Sequence, residues 1–247
     1  VAEKQAAYPS QVSYFHGCYV NYNNPQLGKD LIKVMNAFSI GVQLLEKEKC
    51  CGVALISNGL IKQAQKQART NINSIRKSVL EKNIPVIATS STCTFTIRDE
   101  YPHLLDIDNA DVREEVELAT RYIYRLLSQK KTKLNFKTGQ KIKVAYHTPC
   151  HMEKLGWAYY SIELLKLIPN IELTILDSQC CGIAGTYGFK KENYPTSQAI
   201  GAPLFRQIEE SGADLVVTDC ETCKWQIEMS TSLRCEHPIT LLAQALA

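Results

Sequence analysis

Short apolar, β-prone runs recur along the chain, and each ends in small or polar residues and a cysteine. They are QVSYFHGC at 11–18, IPVIATSSTC at 84–93, KIKVAYHTPC at 141–150 and ADLVVTDCETC at 213–223. Such runs read as buried strands with a turn at their carboxyl ends. Between them apolar positions return every three or four residues, which predicts helices over 26–45, 60–80, 160–168 and 197–210, the last stopped by Gly212. Each half then reads strand, helix, strand or turn, helix, strand. Strands alternating with helices imply a parallel sheet covered on both faces, with ligands bound beyond the carboxyl ends of the strands. The predicted class is therefore α/β: two similar units with parallel-type sheets flanked by helices, and cysteines at the C-terminal ends of strands.

The cysteines themselves repeat. Cys50, Cys51 and Cys93 recur 130 residues later as Cys180, Cys181 and Cys223, and Cys18 recurs 132 residues later as Cys150. The residue 130 positions before Cys220 is Ser90, so the second unit carries five cysteines where the first carries four and a hydroxyl. A period of this size marks a duplicated fold. The polar stretch at 128–143, SQKKTKLNFKTGQKIK, separates the copies and gives expected domains at 1–135 and 136–247.

Charge narrows the partners. The chain has 28 Lys and Arg against 25 Asp and Glu, a net +3, so no strong field points to nucleic acid or to an anionic membrane surface. No apolar run approaches the roughly 18 residues of a membrane span, and the N-terminal VAEKQAAYPS lacks a signal pattern, so a soluble chain is expected. It begins at Val1, which is compatible with a fragment.

Ten cysteines in 247 residues need a reason. Disulfides are the plain reading, but the chain is far larger than small stapled domains, and two of its pairs are adjacent. Neighbouring residues on a strand face opposite ways, so Cys180 and Cys181 serve one site only if the chain turns there. Gly182, Gly185 and Gly188 permit a turn, and they would also let backbone N–H groups approach sulfur. Four thiolates suffice for a structural zinc or a cubane iron–sulfur cluster; a fifth is idle at zinc but useful to a multi-metal cluster. Soft ligands without zinc-finger histidine spacing favour iron and sulfide, with zinc left open for the first unit. His16, His147 and His151 lie within three residues of Cys18 or Cys150 and are candidates for hydrogen bonds to bound sulfur, beside the ordinary role of a histidine satisfied by backbone. Cys235 has no counterpart and reads as a buried structural thiol.

The pattern resembles the cysteine-rich CCG domain, found twice in one of the subunits of heterodisulfide reductase and in iron–sulfur subunits of glycolate, lactate and glycerol-3-phosphate oxidising systems. The matching residues are Cys18, Cys50, Cys51, Gly52 and Cys93, then Cys150, Cys180, Cys181, Gly182, Cys220 and Cys223. The runs LDSQCCGIAGTYGFKK, HTPCHMEKLGW and SSTCTFTIRDEYP are most similar to the glycerol-3-phosphate branch. The resemblance implies an electron-transfer subunit that takes electrons from FAD-bearing flavoprotein subunits and passes them to menaquinone or another quinone. It would sit peripherally at the membrane surface, on the cytoplasmic face of the bacterial inner membrane. A noncubane 4Fe-4S cluster is implied for the second unit; Ser90 leaves the first with iron–sulfur, zinc or nothing. The ferredoxin-type cysteine runs of longer members are not in this sequence, so the likeness is to a C-terminal portion. The C-terminal PITLLAQALA and the stripe at 30–45 offer apolar faces, for which core packing is the commoner use.

Overall fold

The computed structural model describes residues 2–130 and 134–247. Residues 131–133, in the middle of the polar stretch, lie outside the described residues. The chain forms two compact units, Val1–Leu134 and Asn135–Ala247.

The first unit runs α1 (Ala2–Ala6), β1 (Ser10–Phe15), α2 (Gly17–Tyr22), α3 (Pro25–Ala37), β2 (Ile40–Leu44), α4 (Val53–Ser57), α5 (Ile61–Arg76), β3 (Val86–Ala88), α6 (Ser91–Phe95), α7 (Tyr101–Leu104), β4 (Val116–Leu118) and α8 (Ala119–Lys130). Its strands lie in the order β2-β1-β3-β4, and every pair is parallel. The second unit runs β5 (Ile142–Tyr146), α9 (Cys150–Leu155), α10 (Ala158–Lys166), β6 (Ile171–Ile175), α11 (Tyr194–Glu210), β7 (Leu215–Val217), α12 (Glu221–Ser230), β8 (Cys235–Glu236) and α13 (Pro238–Ala245). Its order is β6-β5-β7-β8, again all parallel. The registers agree too: Tyr14 pairs with Ile87 in one sheet, and Tyr146 with Val217 in the other. The expected α/β class with two parallel, helix-flanked sheets is what the chain adopts.

The chain from β1 crosses to β2 on one side and returns to β3 on the other. The order therefore reverses between β1 and β3, and between β5 and β7. At such a point the connections diverge and leave a crevice beyond the strand ends. Each unit has its own core. The central strands are buried on both faces, and Cys51 and Cys93 belong to the first core, Cys181, Cys220, Cys223 and Cys235 to the second.

One predicted helix is corrected. The stretch 26–45 is helical only to Ala37; Ser39 then turns the chain with φ of 59°, and 40–44 is β2. Ile40, Val42 and Leu44 alternate with Gly41 and Gln43, so the β period prevails where both periods fit the apolar residues. The edge strands β4 and β8, three and two residues long, were too short to predict. The C-terminal apolar stretch packs inward: Pro238, Ile239, Leu241, Leu242 and Ala243 on α13 are buried.

Candidate metal centre

The turns that follow the strands at the two crevices deliver the thiols. In the first unit Cys18 lies in the first turn of α2, Cys50 and Cys51 precede α4, and Cys93 lies in α6. In the second, Cys150 opens α9, Cys220 caps α12 and Cys223 lies in its first turn, while Cys180 and Cys181 follow β6. Helix amino ends, with their unpaired N–H groups, favour thiolate over thiol.

Adjacent cysteines reach one site because the next residue is left-handed. Gly52 has φ of 96° and Gly182 has φ of 86°, a region costly for residues with a Cβ. In each pair one cysteine points inward, Cys51 or Cys181, and its neighbour lies nearer the surface, Cys50 half-buried and Cys180 exposed. The Gly182 N–H donates to Cys180 Sγ at 3.3 Å, the backbone-to-sulfur contact expected of this loop. Gly185 also has positive φ, 68°.

The thiols touch in chains. Cys50 and Cys18 sulfurs are 3.7 Å apart, and Cys181 and Cys223 sulfurs 3.2 Å apart. Hydrogen bonding with the sulfurs of Cys18 and then Cys51 brings Cys50 down to about 3, and hydrogen bonding with those of Cys180 and then Cys223 brings Cys181 down to about 3. Their neighbours are pushed the other way: Cys51 is raised by its bonds with Cys50 and Cys93, and Cys223 by its bonds with Cys181 and Cys220. Burial first, then the Cys220 and Cys181 charges, pushes Cys150 up to about 11. Cys50 in the first unit, and Cys181 together with Cys220, which contact with Cys223 also brings down, in the second, are thus favoured as thiolates, the form that binds metal.

Ser90 and Cys220 occupy the same place, the cap of the helix after the third strand. Ser90 Oγ accepts the Cys93 N–H at 3.2 Å. Cys220 makes no such cap bond; its sulfur lies 3.3 Å from Thr222 Oγ1. The second unit forgoes a cap worth about 1 kcal/mol and turns a sulfur toward the other thiols.

The histidines divide. His147 is 1% exposed, and among the described residues neither ring nitrogen has a hydrogen-bond partner; burial brings it down to about 4. His151 is beside Cys150 on α9. His16 Nδ1 is 2.9 Å from the Gly17 carbonyl and 3.3 Å from Glu48 Oε1. Glu48 escaped sequence reasoning, although it stands two residues before Cys50. Its carboxylate accepts the N–H groups of His16 at 3.2 Å and Gly17 at 2.7 Å, tying the β1–α2 turn to the Cys50 loop, and burial raises it to about 7. Also missed were the groups that pin the paired-cysteine loops. Asn71 donates to the Cys50 carbonyl at 3.1 Å and Tyr101 to the Cys51 carbonyl at 2.9 Å. In the second unit Ser197 donates to the Gly182 carbonyl at 2.9 Å and receives a bond from Gln226 at 2.9 Å. Cys235, on β8, is fully buried.

Among the described residues, no three His, Cys, Asp or Glu side chains are drawn together as ligands of a single ion. The thiols instead bond to one another in chains in which lowered and raised members alternate. That donor set fits a multi-metal iron–sulfur group: soft ligands, a buried histidine whose ring nitrogens have no hydrogen-bond partner among the described residues, and a backbone N–H already on sulfur.

Comparison with known proteins gives the family. The cysteine-rich domain family CCG matches residues 12–98 and 144–228. In Escherichia coli K12, the polypeptide designated C of the anaerobic glycerol-3-phosphate dehydrogenase is 73% identical over all 247 residues, and the chain spans 62% of that protein's length. An uncharacterised iron–sulfur protein of Methanocaldococcus jannaschii is 28% identical, covering 92% of this chain and 44% of its own. The polypeptide designated D of a dihydromethanophenazine:CoB–CoM heterodisulfide reductase from Methanosarcina barkeri is 27% identical, covering 96% and 59%.

Proposed function

The chain belongs to the cysteine-rich CCG domain family, and from that premise we propose that it is the iron–sulfur electron-transfer part of an anaerobic glycerol-3-phosphate dehydrogenase complex. In this reading flavoprotein partners carrying FAD oxidise glycerol 3-phosphate, and this chain passes the electrons toward menaquinone or another quinone. The observation that carries it is the chain of hydrogen-bonded thiols at the second crevice, Cys180, Cys181, Cys223 and Cys220, with the Cys181 and Cys223 sulfurs 3.2 Å apart. The 73% identity along the whole chain supports the choice of complex.

Cys150, Cys180, Cys181, Cys220 and Cys223 would hold a 4Fe-4S group of noncubane type. Bound iron and sulfide would supply one-electron exchange near neutral pH. The chain's own residues prepare for this: Cys181 is poised as thiolate, Gly182 offsets sulfur charge, and His147 brings a buried hydrogen-bonding ring. Cys18, Cys50, Cys51 and Cys93 would form the first site, where Ser90 caps a helix; iron–sulfur, zinc or neither are its three states to distinguish. His16 and His151 flank the two sites. Peripheral attachment at the cytoplasmic face of the inner membrane completes the proposal, and among the described residues no helix is long and apolar enough to cross a membrane.

The test is iron, zinc and acid-labile sulfide analysis of anaerobically purified protein, with Cys181→Ala and Cys223→Ala alongside. Either substitution should remove iron and the reduced-state EPR signal of the second site; unchanged iron and signal would show the ligand assignment to be wrong. Zinc without iron would favour a structural tether instead. A second reading, disulfide reduction at the second site, draws on the exposure of Cys150 and Cys180. Disulfide reduction by this chain without its flavoprotein would favour it.

A further inference from the structure

The two units differ at another buried position beside the thiols. Tyr14 on β1 and Tyr146 on β5 are equivalents 132 residues apart, and both are buried. In the first unit the Tyr14 hydroxyl pairs with the Thr89 hydroxyl at 3.0 Å. The residue 130 positions beyond Thr89 is Asp219, and the Tyr146 hydroxyl donates to its Oδ2 at 2.6 Å. Ser161 on α10 donates to Oδ1 at 2.9 Å. Tyr146, Ser161 and Asp219 are each 0% exposed. The second unit has therefore placed a carboxylate, shielded from water, where the first has a neutral hydroxyl.

Taking a carboxylate out of water costs several kcal/mol before hydrogen bonds offset it. Anchoring the strand end does not require that, because threonine does it in the first unit. What the carboxylate adds is negative charge, one peptide bond from Cys220. That is the thiol the first unit lacks, so Thr89-Ser90 stands against Asp219-Cys220. The added ligand and the added charge arrive together.

We propose that Asp219, held by Tyr146 and Ser161, is a positioning residue that lowers the reduction potential of the iron–sulfur group bound by the second unit. A fixed negative charge in poorly screening surroundings opposes the arrival of an electron nearby. The inference rests on the iron–sulfur reading above. Its hydroxyl donors moderate the charge without removing it.

The full chain, purified anaerobically, is titrated with dithionite while the second-site EPR signal is followed, that signal being the one lost in Cys181→Ala. Asp219→Asn keeps the shape and deletes the charge; its midpoint should rise by at least a tenfold change in the reduced-to-oxidised ratio, about 59 mV for one electron. Tyr146→Phe keeps the charge and removes one donor that disperses it, so its midpoint should fall. Opposite shifts at unchanged iron content are not what loosened packing produces. Equal midpoints, or shifts of the same sign, overturn the proposal. If Asp219→Asn loads no iron, Tyr146→Phe decides, and an unchanged or raised midpoint there overturns it. Wild-type protein without iron instead defeats the functional reading, and this inference with it.

Discussion

Gly52 and Gly182 follow the paired cysteines at equivalent positions, and alanine at each should separate two costs that sequence comparison merges. Both glycines are left-handed, at φ of 96° and 86°, so alanine costs about 1–2 kcal/mol at either from backbone strain alone. Space differs. A Cβ at Gly52 would sit 3.7 Å from Ala64 Cβ, an ordinary contact, whereas at Gly182 it would sit 2.0 Å from the Ser197 carbonyl oxygen and 3.1 Å from the Gly201 nitrogen. Backbone on α11 cannot rotate aside, so the loop must move by about 1 Å to regain contact distance. That movement puts at risk the bonds from Ser197 to the Gly182 carbonyl and from Gly182 to Cys180 sulfur, at about 1 kcal/mol each. Gly182→Ala should therefore cost about 3–4 kcal/mol and Gly52→Ala about 1–2. The chain's two tryptophans, Trp157 and Trp225, both lie in the second unit, so tryptophan fluorescence reports that unit alone. In urea under reducing, metal-free conditions, a slope of about 2 kcal/mol/M lowers the fluorescence midpoint of Gly182→Ala by about 1.5–2 M. Gly52→Ala should leave that midpoint in place and show its smaller loss by far-UV circular dichroism. A Gly182→Ala shift no larger than the loss seen for Gly52→Ala would refute the steric argument.

Other substitutions probe the pins and the ligands. Tyr101→Phe removes the donor to the Cys51 carbonyl and the acceptor for Asn71, and should destabilise the first unit by about 1–3 kcal/mol in urea melts followed by circular dichroism. Ser90→Cys gives up the cap on α6, at about 1 kcal/mol, and should raise iron per chain if the first site is limited by its missing sulfur. An unchanged iron content would show that thiol number is not what limits that site. Cys235→Ala should cost about 1 kcal/mol, as a buried side chain trimmed by one atom, and leave iron and sulfide unchanged. Loss of iron there would make Cys235 a ligand rather than a core residue.

The offset of 130 made much of this molecule legible. Because both copies keep strand, turn and helix at the same spacing, the cysteines, the left-handed glycines and the parallel sheets could be read from residue types and periods. The helix over 26–45 failed because Ile40, Val42 and Leu44 satisfy two periods at once, and only a turn at Ser39 selects the strand. Contacts between distant residues left a weaker trace. Glu48 resembles any surface acid in the run EKEKC until its carboxylate is seen under the His16–Gly17 turn.

What remained hidden is not random with respect to the repeat. The pins on the paired-cysteine loops are an asparagine and a tyrosine in one unit and a serine and a glutamine in the other, and they come from non-equivalent positions: the residue 130 beyond Asn71 is Gly201, and that beyond Tyr101 is Thr231. A loop carbonyl requires only some donor at the right distance, so the two copies could meet the same need with different chemistry. A thiol cannot be replaced so freely, because only cysteine supplies one, and the paired cysteines recur at one offset. The exception, Ser90 against Cys220, falls where a helix cap can use either oxygen or nothing, and there the fold tolerates the change without altering its backbone course. Thr89-Ser90 against Asp219-Cys220 is a difference of this kind beside the thiols: two hydroxyls are exchanged for a carboxylate and a thiol while the cap residue stays extended in both copies.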